Sequence, residues 1–203
     1  MSFEIITAVA VFGTVASITP GPNNTMLLAS GLNFGFVRSL PHMFGINIGF
    51  AIMILAVGFG LSRIFELYPS LHHVQFVFSA IYLLYLAWMI AISKSSGNTT
   101  DTSGKPFTFL QAAAFQWVNP KAWVMAIGVT TGYVPHDNFT SGLFLVTGIC
   151  ALVNFPCIAI WAGFGAAMQR YLSNERHRQI FNITLAVLLV LSVLMSVYEG
   201  YVK

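Results

Sequence analysis

Charge is what this chain has least of. Of its 203 residues 57% are hydrophobic and 7% charged, against about 25% charged in an average soluble domain. With a mean hydropathy of +0.78, the composition describes one integral membrane domain in a lipid bilayer, and not a soluble globule with an anchor. Acidic groups are scarcest where they would matter. Glu4, Glu66 and Glu199 lie near outer ends of apolar stretches, and Asp101, Asp137 and Glu175 lie in loops. A cationic side chain or a metal ion inside the membrane would therefore find no counter-charge. The two cysteines, Cys150 and Cys157, share a helical face about 10 Å apart along the axis, too far for a bridge. They read as small apolar fillers.

Other absences narrow the function. The formal net charge of +3 is scattered with no basic stripe, so no nucleic-acid partner is expected. Met1–Thr7 carries Glu4 and no Lys or Arg, so the positive start of a secretory signal peptide is missing. No His-Glu-x-x-His, Cys-x-x-Cys, Gly-x-Ser-x-Gly or Walker loop occurs. No catalytic residue, metal site or cofactor is expected, and no enzyme. His42, His72, His73, His136 and His177 fall at span ends or in loops, and His72-His73 reads as an interfacial pair.

What the chain does have is Thr19-Pro20-Gly21-Pro22-Asn23-Asn24, inside an apolar run from Phe3 past Gly31. Proline in a helix removes the hydrogen bond to the carbonyl four residues back. Pro20 and Pro22 would free the carbonyls of Ala16 and Ile18, and Gly21 adds backbone latitude. In lipid such backbone is tolerated only inside protein or along a wet cavity. Two readings stand: a plain loop between short helices, or a broken helix at a translocation site. The second is preferred.

Six apolar segments can be set against the roughly 20 residues a span needs. They run from Phe3 to about Gly35, Pro41 to Leu61, Val74 to Ile92, Phe107 to Tyr133 (interrupted at Asn119-Pro120), Phe139 to Ala167, and Ile180 to Val197. The first would measure roughly 50 Å as one helix, so a break or steep tilt must absorb the excess. Gly45 and Gly49 in the second allow close helix approach, for internal packing or for a homodimer. Tyr82, Tyr85 and Met89 form a helical stripe read as packing. A single domain, 1–203, divides at a linker, 94–106, into halves of about 1–93 and 107–203. Each half begins with a proline-broken helix and carries an asparagine, Asn47 or Asn154, in its second span. Three spans is an odd number, so like halves would be inverted, a recurring plan for secondary transporters. The expected fold is all-α, six transmembrane helices as two inverted three-helix repeats.

Asn119-Pro120-Lys121 reads as a helix start within the membrane, since Asn caps well and Pro suits the first position. Pro120 would also free the Gln116 carbonyl. A lysine there opposes the helix dipole and costs about 2.5 kcal/mol or more inside the bilayer. Local conflicts of this kind tend to mark functional sites. Lys121 is then an anion anchor, or alternatively a lysine that snorkels to the interface. If it is an unpaired cation, Lys121→Met should leave the protein at least as stable as the parent.

Together Thr19–Asn24, the Gly31/Gly35 pair with Arg38, Tyr82-Leu83-Leu84-Tyr85-Leu86-Ala87-Trp88 and Val118-Asn119-Pro120-Lys121 resemble the lysine exporter (LysE/RhtB) translocator family over nearly the whole chain. The resemblance implies a six-span protein of the bacterial inner membrane that exports amino acids and related metabolites. Pro-Gly-Pro-Asn-Asn followed by Phe115-Gln116-Trp117-Val118-Asn119 points, within the family, to export of cysteine and O-acetylserine. Some relatives carry Asp at the position of Asn23, and often Gly at those of Ala80 and Ala87. The expected function is secondary export of small neutral amino acids, with H+ as candidate coupling ion. The carboxylate would meet Lys121 and the amides near Asn119, and the ammonium the carbonyls of Ala16 and Ile18. Asn23, Asn24, Asn47 and Asn154 would be polar lining. Alternatives are another cargo (a basic amino acid, homoserine or threonine, or a metal cation) or a non-transporting scaffold.

Lys and Arg set the orientation. Arg38, Lys94, Lys105, Arg170, Arg176 and Arg178 fall in the odd-numbered connections, against Arg63 and Lys203 elsewhere outside the spans. Both termini are expected outside the cytoplasm. A reporter active only in the cytoplasm, fused after Lys203, should give no signal; a bright fusion would reverse the topology.

Overall fold

The computed structural model describes residues 1–61, 67, 70–92, 105–135, 137–172 and 174–202, with backbone placement alone for 70–73, 75, 76, 78, 79, 170 and 192–202. The expected linker up to residue 104, Arg63, Glu66, Lys94, Asp101, His136, Lys203 and the side chains of His72, His73, Arg170 and Glu199 lie outside the described residues.

Among the described residues there are eight α-helices and no strand. They are α1 (Phe3–Ile18), α2 (Pro22–Phe34), α3 (Leu40–Ala56), α4 (Ser70–Ala91), α5 (Phe109–Phe115), α6 (Pro120–Tyr133), α7 (Phe139–Tyr171) and α8 (Glu175–Val202). The described residues form an all-α structure, as expected. Local chemistry explains the ends. Ser2 caps α1 and Thr108 caps α5 in a reciprocal box with Gln111. Pro22 and Pro120 open α2 and α6, where a missing N–H costs nothing. Gly35 leaves α2 at φ 83°, a conformation that favours glycine.

Between α1 and α2 the axis bends by 57°, which absorbs the excess length of the first apolar run. Val37–Leu61 and Phe139–Gln169 are each long and apolar enough to cross a bilayer, and the bent pair α1–α2 makes a third if taken as one span. Helix α7 continues four residues past the expected end at Ala167 and runs through Pro156 without interruption.

The packing is reciprocal. Helices α1 and α2 lie along α7, while α5 and α6 lie along α3. Helix α4 packs on α8, and α3 crosses α7. Backbones meet closely at small residues. A β-carbon on Gly31 would lie on the Ala162 carbonyl, and one on Gly165 on the Leu28 carbonyl. Gly45 and Gly49 face Phe109, Ala112 and Ala113 of α5 in the same manner. That pair therefore serves contacts within the chain and is not free for a second copy. Buried side chains fill the space around α1, α3, α6 and α7 at one end, including Val9, Met53, Trp123 and Leu143. Another cluster joins α2, α4, α5 and α8 through Met26, Leu86, Phe115 and Leu189.

Gly31→Ala has to push α2 from the α7 backbone, and an overpacked interface of this kind typically loses about 1–3 kcal/mol. Gly148→Ala on the exposed face of α7 meets nothing within 4 Å. It should be neutral or stabilising by up to about 1 kcal/mol through helix propensity. Thermal unfolding of the two purified variants tests the contrast.

Candidate functional site

The two helix breaks meet. Ala16, Gly21, Asn23, Asn24, Asn119, Lys121 and Asn154 share the wall of one cavity of about 30 Å3, joined by Ser17, Ile46, Phe50 and Gln116. That is room for about two waters and not for an amino acid. The remaining expected residues shape the site from outside the wall. Pro20, Pro22 and Pro120 fix the backbone at the breaks, Asn47 bonds to a wall residue, and Ile18 presents its carbonyl elsewhere.

Every backbone acceptor released by the first break is engaged. The Thr19 hydroxyl donates to Ala16 O at 2.9 Å, and the Trp161 indole donates to Ile18 O at 3.1 Å. Asn24 Nδ2 donates to Ser17 O and to Thr19 O, each at 2.8 Å. Ala16 and Ile18 therefore do not offer the open carbonyls that the sequence suggested. The open edge of the break is Thr19 and Pro20. At the second break Asn119 N–H takes the Gln116 carbonyl at 3.2 Å, and Asn119 Oδ1 caps α6 by accepting from Lys121 N at 3.2 Å.

Lys121 resolves its conflict by leaving its own helix. Its ammonium crosses to the C-terminal end of α1 and donates to Thr19 O at 2.8 Å, Thr19 Oγ1 at 2.8 Å and Pro20 O at 3.3 Å. A cation there sits at the negative end of α1, which offsets its proximity to the positive end of α6. Gly21 makes the crossing feasible, since a β-carbon would stand 2.9 Å from Lys121 Cδ. The expectation that Lys121 is an unpaired cation is corrected by these three bonds.

Amide pairs tie the halves together. Asn23 Nδ2 donates to Gln116 Oε1 at 2.9 Å and Gln116 Nε2 returns to Asn23 Oδ1 at 3.2 Å. Asn154 Nδ2 donates to Asn47 Oδ1 at 2.8 Å. Asn33 and Asn182 exchange bonds of 3.2 and 3.3 Å. Ser17 Oγ, buried in the cavity wall, has no hydrogen-bond partner. Among the described residues no Asp or Glu lines the cavity. Chemically the site offers one cation, a cluster of carbonyl oxygens, neutral amides and a free hydroxyl.

Gln116, Ser17, Trp161 and the pair Asn33–Asn182 were not singled out as site residues from the sequence. Gln116 stands in a recognisable motif, yet its partner is 93 residues away, and no spacing rule reports that distance.

Asn23→Leu or Gln116→Leu alone strands the buried partner and should cost about 1–3 kcal/mol each. The double variant should cost less than the sum, with a coupling of at least about 0.5 kcal/mol. Melting of the four proteins measures it, and strict additivity would deny the pair any energetic weight.

The profile of the family described as LysE type translocator matches residues 14–199. The cysteine/O-acetylserine efflux protein of Escherichia coli (strain K12) is 32% identical over 194 residues, covering 94% of this chain and 96% of its own. The proteins of that name from Escherichia coli O157:H7 and Shigella sonnei (strain Ss046) show the same identity and coverage. No solved structure matches.

Proposed function

This chain belongs to the LysE type translocator family, and on that premise we propose that it exports small neutral amino acids of the cysteine and O-acetylserine type. The observation that carries the reading is the Lys121 ammonium lying on the oxygens of Thr19 and Pro20. Lys121 holds the place that a cargo ammonium would take. An arriving carboxylate draws Lys121 away toward the amides at the start of α6, a positive helix end suited to an anion. The cargo ammonium then takes the Thr19 and Pro20 oxygens, while Ser17 lines the same cavity as Lys121. Each charge exchanges one partner for another, so neither is left bare in a medium of low dielectric. The small cavity agrees with this order of events, since room for cargo appears only as Lys121 swings out.

The neutral lining favours neutral cargo. A lysine or arginine substrate brings a second cation, and no carboxylate on the cavity wall would meet it. Asn23, which the Gln116 amide holds, has no charge to offer.

The remaining features belong to the same proposal. Counting α1–α2 and α5–α6 as one broken span each gives six spans in the bacterial inner membrane, with both termini outside the cytoplasm. The reciprocal packing of α1–α2 on α7 and of α5–α6 on α3 supports two inverted repeats within one domain, and so does the symmetric pair Asn47–Asn154. A proton gradient is the candidate driving force.

Vesicles loaded with labelled amino acids test the cargo and the anchor together. Release of cysteine or O-acetylserine should outpace release of lysine or arginine, and faster release of lysine would sink the reading. Lys121→Met should abolish release. It should also lower stability by about 1–3 kcal/mol, because Pro20 O and the Thr19 hydroxyl lose a charged donor. Lys121→Arg keeps the charge with different donor geometry and should be partly active. Near-parental export by Lys121→Met would refute the exchange.

A further inference from the structure

We propose that a second cavity, bounded by the end of α2, the start of α3 and the end of α4, is a loading site that takes a small zwitterion through His42 and Lys105. It holds about 170 Å3, several times the central cavity. Its wall contains Asn33 at the end of α2, His42 at the start of α3, Met89 on α4, and Lys105 and Phe107 ahead of α5. These lie at the end of the molecule that bears Arg38 and Lys105, the cytoplasmic end in the topology proposed above.

His42 is the group that asks for a ligand. It is 1% exposed, and neither Nδ1 nor Nε2 has a hydrogen-bond partner. The imidazole is stacked on Phe107, with ring centroids 5.2 Å apart and planes at 29°. The neighbouring polar groups are already used. Ser30 Oγ shares a bond of 2.7 Å with Ser39 Oγ, and Asn33 Nδ2 donates to Ala29 O and Asn182 Oδ1. A neutral imidazole carries one donor and one acceptor. Its acceptor nitrogen can therefore take the ammonium of a small zwitterion and leave the carboxylate of that molecule to Lys105. Lys105, exposed at the rim, supplies a cation for the carboxylate while staying hydrated. Met26, Leu86 and Met89 leave a soft apolar wall for a short side chain.

The position joins this cavity to the central one. His42 and Ile46 are one turn apart on α3, about 6 Å along the axis, and Ile46 lines the central cavity. Between the two cavities stand Leu27, Met43 and Ile46, each at most 1% exposed. That apolar layer separates a place where cargo waits from the place where Lys121 exchanges partners. The assignment of cargo rests on the exporter reading; the cavity and its unpaired imidazole do not.

The test places a reporter thiol at the second cavity. Met89→Cys in lipid nanodiscs is labelled with a charged maleimide, since the native Cys150 and Cys157 are buried. L-2-aminobutyrate, a thiol-free zwitterion, should slow labelling at least about threefold. Neither 2-oxobutyrate, with a carboxylate alone, nor propylamine, with an ammonium alone, should do so. Lys105→Gln or His42→Leu should remove the protection, and in efflux Lys105→Gln should raise KM about tenfold at unchanged kcat. Ile92→Cys at the rim gives the same readout should Met89→Cys fail to insert. The proposal is overturned by labelling that aminobutyrate leaves unchanged, by equal protection from either single-charge analogue, or by protection that survives Lys105→Gln. Protection without efflux of any neutral amino acid would overturn the exporter reading and leave this site standing. Efflux without protection would overturn the site alone.

Discussion

Backbone carbonyls released in a low-dielectric interior have to find donors, and that constraint organises this molecule. Two prolines at the first break release acceptors at the end of α1. The chain answers with a hydroxyl from Thr19, an indole from Trp161, an amide from Asn24 and an ammonium from Lys121. Three of these donors are neutral and fixed by packing. The fourth is a charge on a flexible stem, which can be drawn away by a stronger partner without unfolding the break. Removing a donor elsewhere in a membrane helix is a defect; in the proposed exchange one of the four leaves and is replaced.

The same economy explains the scarcity of buried carboxylates. An aspartate at position 23 would bring a carboxylate to the wall that holds Lys121 and compete for its ammonium. The amide of Asn23 instead closes a two-bond pair with Gln116 and leaves the lysine to the α1 terminus. Neutral pairs at Asn47–Asn154 and Asn33–Asn182 repeat the solution at two further crossings between the halves. In the proposed function, selectivity for a zwitterion then needs only one fixed-sign cation and a set of dipoles.

The sequence made the helices, both breaks and the start of α6 legible, because Pro-Gly-Pro and Asn-Pro act through local backbone chemistry that needs no partner. It also flagged Lys121 through its conflict with the dipole of α6. The direction of the side chain was not legible. Its acceptors are Thr19 and Pro20, about a hundred residues earlier, and their distance depends on how α1 and α6 pack. The partner of Asn23 was hidden for the same reason. His42 was read as an ordinary residue near a span end, since nothing in one-dimensional order reveals that Phe107 stacks on it and that no donor reaches it. Nor does periodicity reveal that α7 runs past Ala167 through Pro156. A proline on a lipid-exposed face loses one hydrogen bond without forcing a break.

The contacts divide into two kinds, and the division bears on how the molecule can move. Where α2 meets α7 and where α3 meets α5, glycines bring backbone against backbone. Sliding there would drive a carbonyl into a Cα, so these pairs behave as rigid units. Between the units run the amide pairs Asn23–Gln116 and Asn47–Asn154, together with the Lys121 bridge. A hydrogen bond between neutral amides can be traded for water or cargo at a net cost near 1 kcal/mol, whereas a glycine-mediated backbone contact has no such substitute. The polar residues that line the cavity therefore lie along the seam where separation is cheapest, and in the proposed function cargo that replaces their partners would act directly on the interface between the two units.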